Sequence, residues 1–398
     1  MIDVVTIASL FPNREQTRHG VFVEERLRHL AATGRFDVHV IAPVPWFPFR
    51  ARAFGLYGKY ARVPPVEERL GRVIQHPRYV AIPKVGMSAA PWLYAAGIAP
   101  LLQRMLARLG PDVVLDGHFL YPDGVATAML ARRFGLPYVL TARGQDVTLF
   151  PGYAVPRVLI RRACRGAARV ITVSEALRAL LIDLGVPPET VLTLRNGVDL
   201  AKFNPLDRAR TREQLGFRRQ TLLAVGHLIE RKDHDLILRA LPLVPDTDLV
   251  IVGEGPLRER LLATARQLGV VDRVRIVPNV LQDQLVAYYS AADLSILTSR
   301  HEGMPNVVLE SLACGTPVVA TLVEGVPELL DQPAAGCLVL ERSPAALAEA
   351  VIRLLASPPE RAATRRHATG LGWGPTIDGL ASVLEAAALN RSEGSHPA

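Results

Sequence analysis

Two glutamates, Glu302 and Glu310, stand eight positions apart in the run Ser299-Arg300-His301-Glu302-Gly303-Met304-Pro305-Asn306-Val307-Val308-Leu309-Glu310. The run Ala313-Cys314-Gly315-Thr316-Pro317-Val318-Val319-Ala320 follows. The pattern reads as a strand-end loop, a helix and a further strand. Pro305 suits a first helical turn, which leaves the N–H groups of Asn306, Val307 and Val308 free to face an anion such as phosphate. The two carboxylates could approach one ligand from two directions, one on ribose hydroxyls and the other on a sugar. The spacing alone is weak, since about one such pair is expected by chance in a chain of this length.

Three more segments carry the same chemistry. Val225-Gly226-His227-Leu228-Ile229-Glu230-Arg231-Lys232 joins a glycine turn to two cations, and Val252-Gly253-Glu254-Gly255-Pro256 is a second glycine turn. Asn196-Gly197-Val198-Asp199 with Phe203 is a turn-rich connector. With Gly325-Val326-Pro327-Glu328, and in this order along the chain, these segments resemble the diphosphate loop, nucleotide loop, interdomain segment and Glu-x7-Glu region of the retaining glycosyltransferases of family 4. The resemblance runs from about Ser174 to Gly336 and is looser in the N-terminal half, through His19-Gly20, His118 and Gly144.

The resemblance implies an α/β protein of two Rossmann-like domains facing each other across a cleft, the GT-B fold. Lys232 would bind the donor diphosphate, Glu310 the ribose, and Glu302 the donor sugar together with the backbone of Gly303, Met304, Pro305, Asn306 and Val307. Gly20, Gly253 and Gly255 would lie along the donor, and His118 would sit near the sugar from the opposite domain. Where the family often has arginine after the glycine of the phosphate loop, this chain has His227. Arg231 or Arg143 could supply the missing cation, because a guanidinium holds phosphate in a bidentate fashion. No metal and no cofactor are expected beyond a nucleotide-diphosphate sugar as substrate.

The physical logic of such a site is general. Breaking a sugar–phosphate bond builds negative charge on the leaving diphosphate, which cations and helix N–H groups stabilise. In the family, retention is explained by front-face attack, with the leaving phosphate helping to remove the acceptor proton.

The elements that must position these residues follow from hydrophobic rhythm. Short Val- and Ile-rich runs at Val38–Ala42, Val113–Leu115, Tyr138–Thr141 and Val170–Val173 alternate with amphipathic stretches, which predicts βα units and a parallel sheet. The rhythm restarts at Thr221–Gly226 and continues through Leu249–Gly253, Val274–Val277, Leu294–Leu297 and Pro317–Ala320, predicting a second sheet. The expected domains are 1–199 on the acceptor side, 200–372 for the nucleotide sugar, and a C-terminal helix with a frayed tail over 373–398, packing back on the first domain. Asp246-Thr247-Asp248 mimics a metal-binding Asp-x-Asp, but it precedes a strand and reads as a turn.

Composition sets bounds on all this. The 398 residues suit two cores, and 49% hydrophobic with 21% charged residues is an ordinary globular balance. A net charge of +8 favours an anionic partner without naming it. Neither an RNA-binding motif nor a long basic tract is present, so no nucleic-acid partner is expected. The first strand leads into Ser9-Leu10-Phe11-Pro12-Asn13, which is not a dinucleotide-binding turn. Three scattered cysteines and an N-terminus without a basic leader lead to a cytoplasmic expectation. Alternatives on the same scaffold are a sugar-nucleotide epimerase, a phosphorylase-like enzyme or a non-catalytic nucleotide-sugar binder. The stretch Trp46-Phe47-Pro48-Phe49-Arg50-Ala51-Arg52-Ala53-Phe54, with Tyr57, Lys59, Tyr60 and Arg62, reads either as a peripheral membrane contact serving a lipid-linked or glycan acceptor, or as aromatics closing the core.

Overall fold

A computed structural model describes residues 1–82, 86–278 and 280–393. It divides into two compact units, residues 1–195 with 374–398, and residues 196–373. The chain therefore leaves the first unit at Arg195 and returns to it at Gly374, so that the expected connector around Asp199 lies within the second unit.

Among the described residues unit 1 contains ten strands: β1 (Ile2–Ile7), β2 (Phe36–Ile41), β3 (Val44–Pro45), β4 (Val66–Arg69), β5 (Arg72–Gln75), β6 (Arg78–Tyr79), β7 (Val113–His118), β8 (Tyr138–Ala142), β9 (Arg169–Thr172) and β10 (Val191–Thr193). Its helices are α1 (Val21–Ala32), α2 (Gly55–Arg62), α3 (Ala90–Leu106), α4 (Val125–Phe134), α5 (Gln145–Thr148), α6 (Ala154–Gly166) and α7 (Glu175–Asp183). The main sheet runs β10-β9-β8-β7-β1-β2-β5-β4, parallel except for the β4–β5 pair. All of β7 and β8 is buried, as their apolar runs require when helices cover both faces.

Unit 2 has the helices α8 (Arg208–Leu215), α9 (His234–Ala240), α10 (Arg258–Gln267), α11 (Gln282–Ala291), α12 (Asn306–Ala313), α13 (Pro344–Ala356) and α14 (Arg361–Thr369). Its strands are β11 (Gln220–Val225), β12 (Thr247–Val252), β13 (Val274–Val277), β14 (Leu294–Leu297), β15 (Val318–Thr321) and β16 (Gly336–Val339). They form a fully parallel sheet, β13-β12-β11-β14-β15-β16. Buried Leu222, Leu249, Ile251, Leu294 and Val319 from the strands meet Leu236, Leu261 and Leu347 from helices in one core.

Helix α15 (Trp373–Glu393) completes unit 1 from Gly374 onward. It continues past Asn390, where a frayed tail was expected, to Glu393; residues 394–398 lie outside the described residues.

One local expectation is corrected. Strand β12 begins at Thr247, and Asp248 pairs in register with Thr221, so only Asp246, with φ 48°, is a turn residue. The strand starts earlier than its apolar run shows, because backbone pairing to β11 does not depend on the Asp248 side chain. The apolar Ala89–Leu102 stretch forms most of α3, whose Tyr94, Ile98 and Leu102 are fully buried.

Both sheets have a switch point where the order of strands reverses, between β1 and β7 in unit 1 and between β11 and β14 in unit 2. Loops after such strands form the ligand crevice of open α/β sheets. In unit 1 the Asp123 carboxylate accepts from the Ser9 backbone N–H at 2.5 Å, the Ser9 hydroxyl at 3.0 Å and the Tyr94 hydroxyl at 2.7 Å. It thus ties the end of β1 to α3. Complete burial raises the Asp123 carboxyl to about 6 despite these bonds. The native state therefore binds this proton more tightly than the unfolded chain, and the associated stability is full below pH 4 and lost as pH rises through 6. Denaturant titrations from pH 4 to 7 should show the wild type losing about 2 kcal/mol relative to Asp123→Asn. Parallel profiles for the two proteins would refute this assignment.

Candidate donor site in unit 2

The loops after β11 and β14 carry the charged centre. Lys232 Nζ donates to Glu302 Oε1 at 2.5 Å, and Arg231 Nη1 lies 3.4 Å from the same oxygen. Burial opposes ionisation of Glu302, but Lys232 and Arg231 outweigh it and hold the carboxyl below its ordinary value. One backbone and one side-chain bond zip the two loops together, from Arg300 N–H to Arg231 O at 2.8 Å and from Arg231 Nη1 to His301 O at 2.7 Å.

Asp233 ends the β11 loop with φ 48°, and its carboxylate takes Arg342 at 2.7 Å and Arg300 at 3.0 Å. Arg342 also donates to Ser299 O at 3.0 Å and to Thr298 O. Glu324, after β15, accepts from the Glu302 N–H at 2.8 Å and pairs with His301 at 2.8 Å. In the sequence Asp233 reads only as a turn residue, and nothing there singles out Arg342 or Glu324. The Asp-x-Asp at Asp233 and the glutamate just before Gly325 are visible, but only the order β11-β14-β15-β16 brings them to one place.

Helix α12 starts at Asn306, with Pro305 in extended conformation before it, and not inside the first turn as expected. The Val308 N–H, expected free, donates to Pro305 O at 3.0 Å. Among the described residues, the N–H groups of Asn306 and Val307 have no carbonyl partner, which leaves two donors for an anion. Glu310, a turn into α12, is buried and accepts from the Tyr289 hydroxyl at 2.9 Å and from Gln282 Nε2 at 3.5 Å. Burial and the adjacent carboxylate push the Tyr289 hydroxyl well above its ordinary value, so it remains a donor. Asn196 donates to the Asn306 side chain at 3.0 Å.

The two glycines of the second turn are steric requirements. A Cβ on Gly253 would lie 1.9 Å from Gly226 O, and one on Gly255 would lie 2.4 Å from Leu228 O. His227 is exposed in the same loop.

The candidates in unit 1 form a separate cluster. His118, fully buried, donates from Nε2 to Asp116 at 2.8 Å and accepts at Nδ1 from Arg143 at 2.7 Å. Burial, reinforced by the charges of Arg143 and Arg26, pushes the His118 ring down to about 4, so it is neutral. The Arg143 guanidinium also lies over the Phe22 ring at 5.0 Å. Gly20, with φ 76°, stands so close to Leu10 O that a Cβ would reach it at 2.1 Å. Its place is the start of α1.

The model of the family described as "Glycosyl transferases group 1" matches residues 207–370, and that of "Glycosyltransferase Family 4" matches residues 19–202. The TuaC protein of Bacillus subtilis, named as a teichuronic acid biosynthesis glycosyltransferase, is 32% identical over 358 residues, covering 88% of each chain. The chain belongs to glycosyltransferase family 4. It is an enzyme of the GT-B class. Among solved structures, sucrose-phosphate synthase of Thermosynechococcus elongatus shares the family fold with a TM-score of 0.78 at 18% identity, over 97% of this chain and 98% of that one. The HepE protein of Anabaena, solved with UDP and glucose, does so with a TM-score of 0.73 at 18% identity, over 97% of this chain and all of the other.

Proposed function

We propose that this glycosyltransferase is retaining, and that it moves a sugar from a nucleotide-diphosphate donor to an acceptor hydroxyl in the synthesis of a surface polysaccharide or glycolipid. The observation that carries the reading is the Lys232–Glu302 pair at 2.5 Å, set beside the open N–H groups of α12. Lys232 with those N–H groups neutralises the leaving diphosphate. Arg231, partly exposed in the same loop, is the better second cation beside His227, because Arg143 is buried against His118. Gly253 and Gly255 let the nucleotide approach the backbone. Glu310 takes the ribose, and Glu302 with the backbone from Gly303 to Val307 takes the sugar. His118 and Arg143 hold each other as a buried pair in unit 1, and the diphosphate itself accepts the acceptor proton, so no protein nucleophile is needed.

The names of TuaC and of HepE, solved with UDP, support a polysaccharide acceptor and a uridine donor as first trials. A thermal-shift panel of nucleotide sugars should raise the melting temperature with one base selectively, by mass action. Glu310→Gln should weaken that ribonucleotide about tenfold while sparing its 2′,3′-dideoxy analogue, since a charge-assisted bond to ribose is worth about 1.5 kcal/mol. Equal losses for both would remove Glu310 from the ribose. Turnover should persist in EDTA, because side-chain cations and helix donors neutralise the leaving group; loss on chelation with recovery in Mn²⁺ would contradict this.

The aromatic loop of unit 1 supports a peripheral contact with the inner face of the cell membrane. Trp46, Phe49, Phe54 and Tyr57 are exposed, and the rings of Phe47, Phe49, Phe54 and Tyr57 cluster, mostly edge-on or tilted, with centroids 5.2 to 6.0 Å apart. They do not close the core. Arg62 pairs with Glu15 at 2.7 Å, whereas Arg50, Arg52 and Lys59 have no acidic partner among the described residues. Among those residues no helix is long and apolar enough to cross a membrane.

A further inference from the structure

Helix α4 packs against both α3 and α6. Because α4 and α6 make successive crossovers in one direction along the sheet, from β7 to β8 and from β8 to β9, the right-handed rule puts them on one face. These three helices contain no aspartate or glutamate at all. Between Arg69 and Ser174 the only exposed carboxylate among the described residues is Asp112; Asp116, Asp123 and Asp146 are buried.

Arginine dominates the outer surface of this layer. Arg104 and Arg108 are exposed at the end of α3, and Arg132 and Arg133 at the end of α4. Helix α6 exposes Arg157, Arg161, Arg162 and Arg165. No ion pair to a carboxylate engages any of them among the described residues. The helix dipole explains arginines in last turns, but it equally favours acidic residues in first turns, and all three helices have none there. By contrast, α1 carries Glu24 and Glu25 paired with Arg69 and Arg28. Charge balance is kept on that side of unit 1 and abandoned on this one.

The same layer exposes apolar groups. Trp92 on α3, and Val155 and Val158 on α6 with Tyr153 before it, are 40 to 51% exposed. Duplex nucleic acid, bound through its phosphates, would account for the arginines but not for these. A sheet-backed layer of three helices is broad and flat, and arginine with interspersed aromatic and aliphatic groups is the composition of surfaces that rest on anionic headgroups. We propose that the α3–α4–α6 layer is a docking surface for an anionic lipid bilayer, distinct from the aromatic loop and independent of the donor-site reading.

The test is vesicle co-sedimentation of the full chain. Phosphatidylcholine vesicles are compared with vesicles containing 30% phosphatidylglycerol, roughly the charge density of an anionic leaflet. One variant carries Arg104, Arg108, Arg132, Arg133, Arg161 and Arg162 changed to Gln, which keeps helix propensity. A second carries Arg50, Arg52 and Lys59 changed to Gln. The layer variant should bind anionic vesicles at least about tenfold more weakly than the wild type with unchanged circular dichroism, and high salt should release the wild type. The loop variant reports separately on the aromatic loop. The proposal is overturned if the layer variant binds like wild type, if the wild type binds neither vesicle, or if it binds both equally. Retention on heparin or an acidic protein without vesicle binding also overturns it.

Discussion

Replacing Lys232 with alanine is expected to cut turnover by about 10² to 10³, the loss that follows removal of one group aimed at developing negative charge. Affinity for the nucleoside diphosphate should fall far more than for the bare nucleoside, because the ammonium has no business with the base. The apo enzyme should suffer as well. Glu302 would keep Arg231, at 3.4 Å, as its remaining cation, and loss of one member of a buried pair costs about 3 kcal/mol at the low end of such cases. Adding Glu302→Gln to Lys232→Ala should restore most of that stability and none of the turnover. Calorimetric titration is decisive: equal losses for nucleoside and diphosphate would separate Lys232 from the donor.

Gly253→Ala should be more damaging still, though no charge changes. Its Cβ would sit 1.9 Å from Gly226 O, and the backbone has little room to yield. Gly226 N–H is bonded to Val252 O at 3.0 Å and Gly253 N–H to Val277 O at 2.9 Å, so the loops after β11 and β12 would have to part. A loss above about 4 kcal/mol in unit 2, with donor binding abolished, is expected. Gly216→Ala is the matched control. That residue has φ +68° and nothing within 4 Å, so the change should cost about 1 kcal/mol of backbone strain and spare the donor. Donor affinity surviving in Gly253→Ala would show that the loops tolerate separation.

Much of unit 2 is readable from its sequence because parallel strands buried on both faces are written as unbroken Val, Ile and Leu runs, and their loops carry glycines where backbones meet. Lys232 and Glu302 lie seventy positions apart, yet both follow strands adjacent in the sheet, a neighbourhood the family resemblance implies. Side-chain pairing is another matter. Asp233 holding Arg342, or Glu324 holding His301, depends on which loops the strand order sets side by side, and neither alternation nor composition encodes that. His118 and Arg143 illustrate the same gap in unit 1. Their bond arises because His118 registers with Thr141 across β7 and β8, which carries Arg143 to the imidazole just beyond the strand ends. Read singly, each could be a ligand contact; together they are an internal pair.

Helix α15 has a consequence for the order in which the enzyme can be made. Its Leu380, Ala381 and Leu384 are fully buried, Gly379 fits against the Leu194 side chain, and Thr376 donates to Arg195 O at 2.6 Å. All of these partners belong to a unit whose first 195 residues leave the ribosome before any of residues 196–373. At synthesis rates of about 5–20 residues per second, the seat of α15 stays open on the order of ten seconds or more while unit 2 is built. The first unit to emerge is thus the last to be finished, and its apolar seat must stay clear of other contacts for the whole interval.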